Sequence, residues 1–183
     1  MSMNVLVPVA DGSESLETVA IVNVLRRAEV GVTLASIGGS RTLSATRGIT
    51  LTADATFEEV ADREFDAIVL PGGEAGARAL GAHAPLIEKL QAPRRAHRWY
   101  GGICAAPALA LAPHGLLDGK QATCYPAFRD ALLHFVNQPV VVDGHCITSQ
   151  GPATAIAFGL ALIEALCGSA RRKQIADAVL ASA

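Results

Sequence analysis

Strands alternating with helices along the 183 residues predict a doubly wound α/β domain with helices on both faces of its sheet. Three observations carry that reading. Short Val/Leu/Ile runs recur at 4–9, 31–37 and 65–70, and each is closed by a turn cluster: Asp11-Gly12-Ser13, Gly38-Gly39 and Pro71-Gly72-Gly73. Hydrophobic residues make up 51% of the chain but aromatic ones only 4%. The core must therefore be built from Val, Ile, Leu and Ala, which suits a sheet buried on both sides. The length fits one domain, 1–183, with a sizeable core.

Taken in order, 4–9 reads as a central strand, and its turn cluster can cap the helix expected at about 14–28. On a 100° wheel Leu16, Ala20, Ile21, Val24, Leu25 and Ala28 form one arc, with Asn23, Arg26 and Arg27 mostly opposite. Glu17 falls inside the apolar arc. A first-turn Glu ordinarily complements the helix dipole from solvent, but this stripe points its carboxyl toward the crevice past the carboxyl end of the first strand. Burial there would favour the protonated acid.

The second strand, 31–37, is followed by a small hairpin around Arg47-Gly48 and a short acidic helix at 57–61. The third strand ends at Gly72 and Gly73, a tight turn or a place where backbone N–H groups approach a ligand oxygen. A helix with Pro85 in its first turn is expected to about His97, then a strand into Cys104 and a buried helix over 105–112. Residues 119–124 read as another strand. Val140-Val141-Val142, Asp143-Gly144 and 145–148 give a hairpin, and a long apolar helix to Cys167 precedes an amphipathic one from Ser169.

Gly102 and Ala106 flank Cys104 at minus two and plus two, the offsets of the small residues in a nucleophile elbow. A cysteine at such a tip lies beside a helix N-terminus, which favours the thiolate. The same spacing also accommodates a packed core cysteine.

The net charge of −2 leaves no electrostatic footprint for nucleic acid or an anionic membrane. The basic clusters Arg94-Arg95-His97-Arg98 and Arg171-Arg172-Lys173 read as solvated helix faces or ends. The start of the chain shows no signal-peptide pattern, and the apolar run 155–163 is too short to cross a bilayer. Four cysteines about twenty residues apart form neither a C-x-x-C pair nor a zinc spacing. A disulfide framework is not expected, and a reducing cytoplasm is the simplest setting. No Gly-rich piece matches a nucleotide fingerprint, and no cofactor or metal is expected.

Four stretches in order, Ser15-Leu16-Glu17-Thr18-Val19, Val69-Leu70-Pro71-Gly72-Gly73, Ile103-Cys104-Ala105-Ala106-Pro107 and Thr148-Ser149-Gln150-Gly151-Pro152, resemble the ThiJ/PfpI superfamily, in its DJ-one/YajL-like branch. The resemblance spans essentially the whole chain. It implies a flavodoxin-like fold with a mostly parallel sheet, a homodimer, and a reactive cysteine on a strained elbow. By matching motif, Cys104 is that nucleophile and Glu17 its protonated partner. The N–H groups of Gly73 and Ala105 form an oxyanion pocket, Gly72, Tyr125 and Pro126 line the crevice, and Arg47 falls near the dimer interface. The resemblance also implies glyoxalase or deglycase chemistry on small reactive carbonyls, sensing of oxidants through cysteine sulfinate, or chaperone behaviour.

Two departures narrow this. Peptidase-like relatives carry histidine after the cysteine; Ala105 here removes that general base. Where some branch members carry a histidine before a crevice proline, this chain has Tyr125, a poor base because its unperturbed pKa is about 10. Proton transfer then falls to Glu17, and His114 reads as a loop histidine. Isocyanide hydration in a related branch uses a different acid on the first helix, against which Glu17 argues.

Overall fold

The computed structural model describes residues 3–95 and 98–181. Its strands are β1 (Asn4–Val9), β2 (Gly31–Ser36), β3 (Thr42–Ser44), β4 (Thr50–Thr52), β5 (Ala55–Thr56), β6 (Ala67–Leu70), β7 (Trp99–Ile103), β8 (Val140–Asp143) and β9 (Cys146–Ser149). The helices are α1 (Ser15–Arg27), α2 (Glu74–Ala82), α3 (Ala84–Arg95), α4 (Ala155–Cys167) and α5 (Ser169–Ala178).

Seven strands form one sheet in the order β5-β2-β1-β6-β7-β9-β8, and β3 pairs with β4 outside it. All pairings in the large sheet are parallel except β8 with β9. The run β2-β1-β6-β7-β9 has the 2-1-3-4-5 order of flavodoxin-like folds. From β1 the chain first winds outward through β2 and β5, then returns to β6 and winds the other way. The order therefore reverses between β1 and β6, and a crevice opens at their carboxyl ends.

Strand alternation splits the core into two layers. Leu6, Ile68, Leu70 and Tyr100 face one layer, closed by Leu80, Leu86 and Leu90 of α2 and α3. Val5, Val7, Val9, Val69 and Ile103 face the other, closed by Ile21 and Leu25 of α1 and by Phe158, Leu162 and Ile163 of α4. Each fully buried aliphatic side chain here contributes about 1.5–3 kcal/mol relative to exposure. Gly159 lets α4 approach α1 closely, since a Cβ there would lie 2.9 Å from Val24 Cγ1.

Several elements differ from the sequence expectation. Leu16 belongs to the calculated arc of α1 but is 56% exposed, because the buried stripe runs through Glu17, Ile21, Val24 and Leu25 instead. Helix α2 has no counterpart in the pattern reading: three glycines or alanines in every few residues blur its periodicity. Gly76 is needed there because a Cβ would meet the Ser13 backbone at 2.5 Å. After Cys104 the chain forms a π-helical turn at Pro107–Leu111 and a 3-10 turn at Ala112–His114 rather than one regular helix. Residues 119–124 are not a strand; Ala122 makes only an isolated bridge to Phe135. Helix α3 ends at Arg95, and His97, where that helix and one basic cluster were expected to reach, lies outside the described residues.

Candidate active site

Three chain reversals meet at the switch point: the start of α1 after β1, the Gly72-Gly73 turn after β6, and Cys104 after β7. Pairing of Leu70 with Gly102 brings the last two ends side by side. Cys104 has φ of 63°, a conformation rarely adopted by residues other than glycine. That strain is the mark of an elbow, and the surroundings enforce it. The Cys104 N–H donates to the Ser149 carbonyl at 2.9 Å, and the Cys104 carbonyl accepts the Tyr125 N–H at 2.8 Å. Ala106 Cβ would lie only 3.1 Å from a Cβ at Gly102, so both flanking positions must be small.

Glu17 is fully buried. Its Oε2 accepts the Gly72 N–H at 2.8 Å, and its carboxyl is in hydrogen-bond contact with the Cys104 side chain. Its Oε1 has no hydrogen-bond partner among the described residues. Gly72 makes this contact possible: a Cβ there would sit 2.5 Å from Cys104 Cβ and 2.7 Å from Glu17 Oε2. The backbone N–H groups of Gly73 and Ala105 both reach the Cys104 sulfur. Gly73 holds φ of 84° as the residue capping α2, which orients its N–H.

Burial pushes the Glu17 carboxyl up to about 7, against the opposing effects of the Gly72 N–H and the Cys104 contact, and the Glu14 charge adds to the rise. Burial, then the Glu17 charge and hydrogen bond, together push the Cys104 thiol up to about 12, against the pull of the Gly73 and Ala105 N–H groups. The sequence expectation that elbow placement favours the thiolate is therefore corrected: backbone donors alone do not outweigh burial beside an ionised Glu17. When Glu17 keeps its proton, the charge repulsion disappears and its hydrogen bond favours the thiolate. Each group is among the causes of the other's shift, so the two titrate as a coupled pair.

The other expected residues are distributed around this centre. Tyr125 is 45% exposed, its ring lying against Gly151 and tilted over Phe128, and exposed Pro126 opens the 3-10 turn Pro126–Ala131. Arg47 has φ of 60° in the exposed turn between β3 and β4 and makes no ion pair among the described residues. It is not among the groups hydrogen-bonded around Cys104. His114 is tied to the Gly81 carbonyl at 2.7 Å, joining the turn after Cys104 to α2. Sequence reasoning missed Ser149, which acts through its carbonyl and so leaves no side-chain signal. It also placed the α1 cap at 11–13, whereas Glu14 is the cap, its side chain accepting the Glu17 N–H. Among the described residues, no group of three or more His, Cys, Asp or Glu side chains is arranged to hold a metal ion.

A flavodoxin-like α/β fold with a cysteine on a strained elbow and a buried acid beside it defines a class of cysteine-centred proteins. Comparison with known sequences specifies which: residues 3–165 match the DJ-1/PfpI family, and the chain belongs to it. Protein DJ-1 homolog B of Arabidopsis thaliana is 43% identical over 178 residues, 96% of this chain and 41% of that protein. The chain thus spans less than half the length of that relative. Glutathione-independent glyoxalase DJ-1 of Schizosaccharomyces pombe is 32% identical over 169 residues, 85% of this chain and 87% of its own length. Among solved structures, oxidized DJ-1 of Toxoplasma gondii superposes with a TM-score of 0.97 at 36% identity, each chain covered completely.

Proposed function

We propose that this chain is a cysteine-dependent stress-protection protein that acts on small reactive carbonyls. The observation that carries the reading is the contact between buried Glu17 and Cys104 at a sulfur that also receives two backbone N–H groups. The name of the fission-yeast relative supports it.

In this mechanism Glu17 holds the shared proton while the Cys104 thiolate adds to the aldehyde carbon of a 2-oxoaldehyde such as methylglyoxal. A C–S bond forms, and the carbonyl electron pair moves to oxygen, where the Gly73 and Ala105 N–H groups receive the charge. Glu17 protonates that oxygen and, now ionised, takes the C1 proton and returns it at C2, while the proton on the C1 oxygen passes to the C2 oxygen. C1 is oxidised and C2 reduced within one molecule, leaving a thioester of the hydroxy acid. Water cleaves the C–S bond, releasing lactate and restoring the thiol–acid pair. No external oxidant or cofactor is consumed. Purified protein is expected to convert methylglyoxal to lactate, and Cys104→Ala to lose that turnover. Absent turnover, or turnover retained by the alanine variant, rejects the assignment.

A second reading, oxidant sensing through Cys104, is favoured by one feature: the donors converge on the sulfur itself, where sulfinate oxygens would form. Mild peroxide is then expected to add two oxygens at Cys104 before Cys124, Cys146 or Cys167. Equal oxidation of all four counts against it. We assign no role to chaperone activity.

The functional unit we propose is a homodimer. Leu16, Val19 and Ile49 are about half exposed along α1 and the neighbouring hairpin turn. A hollow of about 510 Å³ lined by Val19, Val22, Leu51 and Thr52 lies on the same side. A second copy would cover this apolar surface and bring Arg47 to the interface. All four cysteines are free, consistent with the cytoplasmic setting we assign; among the described residues no helix is long and apolar enough to cross a membrane.

A further inference from the structure

Glu14 lies at the junction of three segments. Its Oε2 accepts the Glu17 N–H at 2.8 Å, and its Oε1 accepts the Thr46 hydroxyl at 3.1 Å. The same Thr46 oxygen accepts the Ser15 N–H at 3.2 Å, and the Thr46 N–H donates to the Ser13 carbonyl at 3.0 Å. The Glu14 N–H donates to the Gly72 carbonyl at 2.9 Å. One half-buried residue therefore joins three segments: its carboxylate touches the hairpin turn and the first turn of α1, and its N–H holds the glycine whose own N–H holds Glu17.

Capping alone does not explain this residue. Ser, Asp or Asn caps a helix better, and a carboxylate beside a buried carboxyl adds like-charge repulsion. The longer Glu side chain does what those residues do not: it spans from the Glu17 N–H to Thr46.

We propose that Glu14 is a positioning residue through which the Thr46–Gly48 turn acts on the Glu17–Cys104 pair. The proposal rests on the reading of those two residues as the reactive pair. The titratable groups acting on Glu17 are Cys104 from the elbow and Glu14 from its own helix; the hairpin turn presents Arg47, exposed and without an ion pair among the described residues. While Thr46 holds Glu14 in place, its charge disfavours loss of the shared proton. Displacing the turn releases Glu14, and the pair gives up its proton at lower pH.

The test is the rate of Cys104 alkylation by iodoacetamide from about pH 5 to about pH 9, with peptide mass analysis counting Cys104 apart from the other cysteines. Glu14→Gln is expected to move the midpoint down by about 1 pH unit. Thr46→Val is expected to move it the same way by less, and Glu14→Asp, which keeps the charge but is too short to span to Thr46, to match Thr46→Val. Unchanged midpoints in the first two variants overturn the proposal. So does a shift in Glu14→Asp as large as that in Glu14→Gln, which would mark a purely structural cap. If Glu14→Gln does not fold, Thr46→Val decides alone. Glu17→Gln separates the two levels. If it leaves the profile unchanged, the reactive-pair reading fails and the proposal with it; if it changes the profile while Glu14→Gln does not, only the proposal fails.

Discussion

The Glu17 carboxyl, carried by the first turn of α1, is buried in hydrogen-bond contact with the Cys104 side chain at the end of β7, with the Gly72 N–H closing the contact from β6. Residues 87 apart in sequence thus meet at the point where the strand order reverses. The fold places them there, and each of the following expectations depends on that placement.

Glu17 makes stability depend on pH. Its folded-state pKa, about 7, lies above the ordinary 4.5, so the native state holds the proton more tightly than the unfolded chain. The favourable contribution is complete below about pH 4.5 and is lost as pH rises through 7. Glu17→Gln removes the dependence and is expected to gain on the order of 3 kcal/mol over wild type at pH 8, with the gain vanishing near pH 4.5. Urea denaturation of both proteins at several pH values measures it; a gain independent of pH would mean that Glu17 does not titrate in this range.

Gly72→Ala is expected to cost about 1–3 kcal/mol, because the added methyl must displace Cys104, Glu17 or the Ile103 carbonyl, each within 3.0 Å of its position. Denaturation reads the stability loss, and Cys104 alkylation should lose its Glu17-dependent pH profile in the same variant. A neutral substitution would show that the three groups are not packed as described.

Tyr125→His places a group with pKa near neutrality at the crevice position now held by a half-exposed phenol. It is expected to raise methylglyoxal turnover by about 10–100-fold through general base catalysis. Steady-state lactate production measures it, and an unchanged kcat would show that the side chain at position 125 does not limit proton transfer.

Val19→Asp should dissociate the proposed homodimer, since it places a charge in the middle of the exposed α1 face. Sedimentation velocity distinguishes the species. A wild-type monomer, or a dimer that tolerates the aspartate, excludes this face as the interface.

Much of this was legible in the chain because the signals were local. The strands around 4–9 and 31–36 read as Val/Leu runs ended by glycine turns, the elbow read from small residues two positions either side of Cys104, and Glu17 stood out as a carboxylate on an apolar stripe. What was not legible depends on tertiary contact. Helix α2 is specified by close approach of Gly76 to the Ser13 backbone; the exposure of Leu16 follows from which stripe of α1 meets α4; and Ser149 contributes only a carbonyl. The Cys104 proton balance was misread for the same reason. A helix end is visible in sequence, but the burial that opposes it is not.

The most direct test of the central claim uses Cys167 as an internal control, since it is exposed whereas Cys104 is half-buried. Wild-type protein is treated near neutral pH with less than one equivalent of iodoacetamide and mapped by peptide mass. If Glu17 activates Cys104, the half-buried cysteine is labelled ahead of the exposed one, and Glu17→Ala reverses the order. Labelling of Cys167 first in the wild type, or a preference for Cys104 that survives Glu17→Ala, would contradict the account.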